Sequence, residues 1–193
     1  SFWIALPLGI FITGILGLVI ERTFLRAMVG EPVFSVAILT IGIDILIRTV
    51  LDDWIGLNPR YMGDSFSMMG NFGSLNIGGV SLKYLELTAL VAAIVVIALL
   101  SIFFKFSKYG LAMRATSFDQ EASLAQGINV GRVIALVWFI AAMLASLSGF
   151  FITGGFNGLT QASFVTALRA LPAIVIGGLD SLVGAVVGSL IVG

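Results

Sequence analysis

Residues 87–104 run for eighteen positions without a charged side chain, and residues 2–20 for nineteen. A helix of either length, rising 1.5 Å per residue, covers a hydrocarbon core about 30 Å thick. Residues 133–152 form a third such run, and 33–51 a fourth that only Asp44 and Arg48 interrupt. Residues 170–193 are apolar apart from Asp180 and contain Pro172, Gly177 and Gly178, which reads as a long or broken fifth span. Within a bilayer the backbone must satisfy its own polar groups, so spans of this length are helices. The fold class expected is an all-α integral membrane protein. It is a multi-span helical bundle, a single domain over residues 1–193.

Composition agrees: 59% of residues are hydrophobic and 10% charged, whereas soluble domains carry about 25% charge. There is no cysteine, which excludes disulfides and thiolate metal sites. There is no histidine either, the commonest metal ligand and the usual base at neutral pH. No catalytic residues, metal site or cofactor are therefore expected. The formal net charge is zero and no basic patch is present, which argues against a nucleic-acid partner. A glycine-rich nucleotide loop with its lysine is also missing. Ser1 already stands in one apolar run and Gly193 in another, so the chain is expected to be a piece lacking both termini. Residues 2–20 lack the basic leader of a signal peptide, and their apolar region is too long.

Residues 105–132, KFSKYGLAMRATSFDQEASLAQGINVGR, form a polar island holding four of the ten Lys and Arg residues. Ser117 and Gln120 fit a capping box, each side chain bonding the other's backbone amide. Asp119 and Glu121 place negative charge where a helix dipole favours it. Gly127 stands where a left-handed C-terminal cap wants glycine. One short helix is thus expected over residues 118–126, with Phe118, Ala122 and Ala125 as a narrow apolar stripe. Such a helix is too short to stand alone in water. It is either a plug for another protein's groove or a connecting helix resting on the lipid interface.

Orientation follows from basic residues in short loops. Loops 21–32 and 105–132 hold six Lys and Arg, while the opposite loops before Arg169 hold Arg60 and Lys83. The first pair, and with it the short helix, is expected in the cytoplasm. On the other side, Gly78-Gly79 within IGGV suggests a two-residue hairpin turn between short strands, a small extracytoplasmic hairpin. Ala141, Ala145 and Gly149, at i, i+4 and i+8, and Gly184 with Gly188, suit close helix packing. Asp44 and Arg48 share a helix face at i, i+4; they either pair with each other or line a solute pathway. Gly177 and Gly178 could open backbone groups to a zwitterion at a helix break, with Asp180 beside them. Trp3, Trp54 and Trp138 read as interfacial or packing aromatics.

Two motifs carry a family resemblance. GLAMRA at 110–115, with Asp119 and EASLAQGI at 121–128, resembles the cytoplasmic loop of bacterial ABC-importer permeases for branched-chain amino acids. ALPAIVIGGLDSLVGAVVG at 170–188 resembles that family's glycine-rich segment. Asp180 stands where the family usually has glycine, Val183 where proline is common, and Arg169 where lysine is frequent. The loop at 158–164 lacks that family's frequent proline and glycine.

The resemblance implies that Glu121, Ala122 and Gly127 fill the coupling-helix positions, with Ser123 in place of the second alanine. Arg114 and Asp119 lie beside that contact, and Ile128 closes the motif. The implied partners are a second permease subunit, two cytoplasmic ATPase subunits, a periplasmic substrate-binding protein and the lipid bilayer. The implied function is an inner-membrane permease subunit importing branched-chain amino acids, or relatives such as urea or amides, by alternating access. ATP hydrolysis would then belong to a separate chain. The alternative is an ion-gradient-driven secondary transporter working through Asp44 or Asp180.

Overall fold

The computed structural model describes residues 2–28, 31, 33–56, 74–77, 80–155, 168, 170–178 and 181–192. Helix α1, Phe2–Ile20, runs without a break into a π-helical turn, Glu21–Leu25, and a 3₁₀ turn, Arg26–Met28. The first helical rod therefore outlasts the uncharged run, and Glu21 belongs to it rather than to a polar connection. Helix α2 is Val33–Ile55. An antiparallel ribbon follows, β1 (Ser74–Ile77) on β2 (Val80–Lys83), with Ile77 opposite Val80. That register is what a two-residue connection at positions 78 and 79 demands. Helix α3, Tyr84–Phe106, returns from the ribbon. After it come α4 (Lys108–Phe118), α5 (Gln120–Ala125) and α6 (Val130–Gly155). Two short helices complete the described chain, α7 (Ala170–Gly177) and α8 (Leu182–Val192).

Among the described residues, four rods are long and apolar enough to cross a membrane: Ile4–Met28, Phe34–Trp54, Glu86–Phe106 and Val130–Thr153. Their outer faces carry large apolar side chains in the open, among them Ile4 (68% exposed), Ile41 (62%) and Leu99 (60%). Apolar surface this continuous has the bilayer as its solvent.

The seam between α1 and α6 is the closest packing among the long helices. The two run antiparallel, with Thr13 against Ser146 at 3.4 Å and Phe11 edge-on to Phe139 at 6.0 Å. A Cβ on Gly14 would stand 2.7 Å from Phe139, and one on Gly17 2.6 Å from Ala142. Glycine is what lets these backbones approach. The expected small-residue stripe of α6 is split by the structure. Ala142 meets Gly17 of α1 and, with Ala141 and Ala145, lines a cavity, whereas a Cβ on Gly149 would touch nothing.

At the fifth apolar stretch the chain breaks. Gly178 has φ +86°, in the left-handed region, and α7 and α8 lie against each other on either side of it. Their contact is glycine on backbone: a Cβ on Gly184 would collide with the Gly177 carbonyl, and one on Gly188 with that of Ala173. Ser181 caps α8 by accepting from the Gly184 amide at 3.0 Å.

Candidate functional site: a capped helical elbow at one end of the bundle

The polar island folds as two helices instead of one. Ser107 alone separates α3 from α4; its amide donates to the Phe103 carbonyl (3.0 Å), and its Oγ accepts from the Tyr109 amide (3.2 Å). Gly110 makes this corner possible, since a Cβ there would stand 2.6 Å from the Phe103 carbonyl oxygen. Met113 and Thr116 are buried, and they hold α4 down with Gly110 as its inner face.

Asp119 is the joint. Its backbone is extended (φ −155°, ψ 113°), its amide donates to Ala115 to close α4, and its Oδ1 accepts from the Ala122 amide at 3.0 Å to open α5. The expected Ser117–Gln120 capping box is therefore corrected. Ser117 lies inside α4, where its Oγ donates to the Arg114 carbonyl at 2.8 Å, so its hydroxyl is engaged one turn back. Asp and Ser are about equal as N-caps, and the residue whose backbone leaves the helix takes the role. The short helix accordingly spans Gln120–Ala125, and Phe118 ends the preceding one.

The C-terminal cap matches the sequence expectation. Gly127 has φ +82°. Its amide donates to Leu124 and that of Ile128 to Ser123, both at 3.0 Å, which is the paired bonding of a Schellman motif. Asn129 then caps α6 by accepting from the Arg132 amide at 3.0 Å. Four residues, Gln126 to Asn129, thus join the end of α5 to the first turn of α6, where Val130 is 2% exposed.

This unit brings the expected coupling residues together. Arg114, Asp119, Glu121 and Ala122 are exposed, Gly127 is exposed at the cap, and Ile128 is half-buried. The inner face of α5 is Ser123, 4% exposed, and neither Ala122 nor Ala125 is covered. The elbow shares its end of the bundle with the end of the first rod: the Arg26 guanidinium lies 3.0 Å from where a Gly131 Cβ would be. Both basic loops therefore meet at one end, as their charge requires.

The residues considered for a solute pathway fall in separate places. Asp44 and Arg48 meet each other, Oδ2 to Nε at 2.8 Å, on a partly exposed face in the middle of α2. They do not line the cavity of about 670 Å³ between α1, α2 and α6, whose wall includes Thr13, Leu16, Ile20, Ile43, Ile47 and Trp138. Gly177 and Gly178 sit at the turn of the α7–α8 hairpin. Asp180 lies outside the described residues, as do Arg60 and Arg169.

Sequence reasoning missed Glu21. It is 1% exposed, and its Oε1 has no hydrogen-bond partner among the described residues. It sits at the start of the π turn with Leu25, 4% exposed, on the same inner face. The available signal was Phe24 and Leu25, which prolong the apolar rhythm of α1 past the first charge.

Comparison with known proteins gives the family of the chain. The family model described as branched-chain amino acid transport system / permease component matches residues 1–193. The high-affinity branched-chain amino acid transport system permease protein LivH of Salmonella typhimurium is 28% identical, over 99% of this chain and 64% of its own length. BraD of Pseudomonas aeruginosa, named for the same transport system, is 27% identical over 98% of this chain and 62% of its own. The galactose/methyl galactoside import permease protein MglC of Haemophilus influenzae is 28% identical over 78% and 46%. The chain thus spans a little under two thirds of the length of the LivH and BraD proteins it matches. No solved structure matches. With four rods able to cross the bilayer and a family match along its entire length, this integral inner-membrane chain belongs to the branched-chain amino acid transport permease family.

Proposed function

We propose that the chain is the membrane-spanning part of an ATP-driven importer and that the α4–α5 elbow is its contact with a cytoplasmic ATPase. The observation that carries this is the elbow itself. It is capped at both ends and pinned inward by Met113, Thr116 and Ser123. Arg114, Asp119, Glu121 and Ala122 are left outward on the family's coupling positions.

A push on α5 has a short route into the membrane. It passes through Gly127–Asn129 to the first turn of α6, and α6 is locked to α1 along the glycine seam. Rigid, hydrogen-bonded joints of this kind move as units, so ATPase closure would tilt the α6–α1 pair and alternate access. Two such permease subunits, two ATPase subunits and a periplasmic binding protein complete the assembly. The solute proposed is leucine, isoleucine, valine or a small relative.

Of the two carboxylates named for the ion-driven alternative, Asp44 is held by Arg48 at 2.8 Å and Asp180 lies outside the described residues. The test uses the full-length permease with its partner subunits in proteoliposomes, ion gradients collapsed. Uptake of labelled leucine, isoleucine or valine should require ATP and should fall at least tenfold with Glu121→Lys. Uptake that continues without ATP, or is untouched by Glu121→Lys, overturns the reading.

A further inference from the structure

The family motif puts the contact on Glu121, Ala122 and Gly127, but the most protruding apolar group of the elbow lies outside it. Phe118 ends α4 and is 91% exposed. It is also rigidly presented. The Asp119 amide closes the helix behind it, the Asp119 carboxylate opens the next helix ahead of it, and Thr116 is buried two residues away. With the backbone held in this way, only the two side-chain torsions of the ring are left to order when a partner covers it, a low cost that suits an interface anchor.

Charge selects the occupant. Phe118 is followed by Asp119 and, two residues later, Glu121, both exposed carboxylates, and the exposed Arg114 stands four residues before it, so acidic groups are in excess over residues 114–121. The cytoplasmic leaflet is negatively charged and attracts cations, so a ring beside two carboxylates is ill-suited to lie among its headgroups. A protein socket with an apolar floor and a Lys or Arg rim complements both features.

We infer that Phe118 is the anchor of the elbow and seats in an apolar, cation-rimmed socket on the ATPase subunit. This inference rests on the reading of the chain as an ATPase-coupled permease.

The test uses the full-length permease in lipid nanodiscs containing anionic lipid, titrated with its ATPase subunit. Phe118→Ala should weaken binding by roughly ten- to a hundredfold, the value of burying one phenylalanine side chain, without changing the thermal midpoint of the permease. Phe118→Trp should restore binding to within about threefold, since a larger ring fills the same kind of site. In parallel, Ala125→Cys is cross-linked to the ATPase. If Phe118→Ala binds like the wild type while position 125 still cross-links, the anchor is refuted and the coupling reading stands. If position 125 never cross-links and the wild type does not bind the ATPase, both fall. A solvent-sensitive fluorophore on Phe118→Cys separates the membrane as occupant. A blue shift only on adding ATPase supports the socket, and a blue shift in nanodiscs alone overturns it.

Discussion

Replacing Gly17 with alanine should loosen the α1–α6 seam, and a matched change at Gly9 isolates why. Both glycines lie inside α1, so both substitutions gain the same helix propensity, about 1 kcal/mol. At Gly9 the new methyl group meets nothing within 4 Å. At Gly17 it would stand 2.6 Å from the Ala142 Cβ and 2.8 Å from the Trp138 carbonyl oxygen. Carbon atoms pack at about 3.5–4.0 Å, and the Trp138 carbonyl is backbone, so the helices must separate by about 1 Å. Overpacking of this kind costs about 1–3 kcal/mol. In a chain of this size each kcal/mol moves the thermal midpoint by about 2–4 °C. Gly17→Ala should therefore melt about 2–12 °C below Gly9→Ala in the same detergent. Gly14→Ala should fall between them, because its obstacles are the movable side chains of Phe139 and Met143. If Gly17→Ala and Gly9→Ala melt together, the two helices are not at contact distance and the seam is misplaced.

Asp119→Ala removes the cap of α5 and should cost about 1 kcal/mol, read as faster hydrogen exchange at the amides of Ala122 and Ser123; Ser117→Ala should leave those amides unchanged. Gly127→Ala forces a side chain into φ +82° and should destabilise the same helix by about 1–2 kcal/mol, with Gly127→Asn milder; equal exchange in all three proteins would refute the left-handed cap. Asp44→Leu takes from Arg48 the carboxylate it bonds at 2.8 Å and leaves Asp52 to offset part of the roughly 2.5–3.5 kcal/mol that a charge in the middle of a span costs. Asp44→Leu should lower the melting midpoint more than the double change Asp44→Leu/Arg48→Leu, and the reverse order would sink the mutual pair.

The long rods were legible because bilayer thickness leaves little choice: an uncharged run of eighteen residues has one use. Gly127 was legible for a similar reason, as a glycine after a short capped segment has few roles. The spacing of Asp44 and Arg48 put them within reach of each other but left pairing and a solute pathway both open, and the 2.8 Å contact shows the pair. The start of α5 was not legible. Ser117 and Asp119 are both good caps two residues apart, and the choice depends on whether α4 continues through Ser117, which the burial of Met113 and Thr116 decides. Glu21 was misplaced because a charge normally ends a span. Here the rod goes on through a π turn that carries the carboxyl inward. The cavity between α1, α2 and α6 depends on how three distant segments meet, and no local pattern encodes it.

The α1–α6 seam also sets a timetable for biogenesis. Gly17 and Ala142, which face each other across it, leave the ribosome about 125 residues apart. At about 5–20 residues per second, α1 waits in the bilayer for about 6–25 s before its closest neighbour is made. During that interval its glycine-notched flank lacks the helix that will cover it. A newly inserted α1 is thus the stage of this protein most open to a wrong helix or to a quality-control protease.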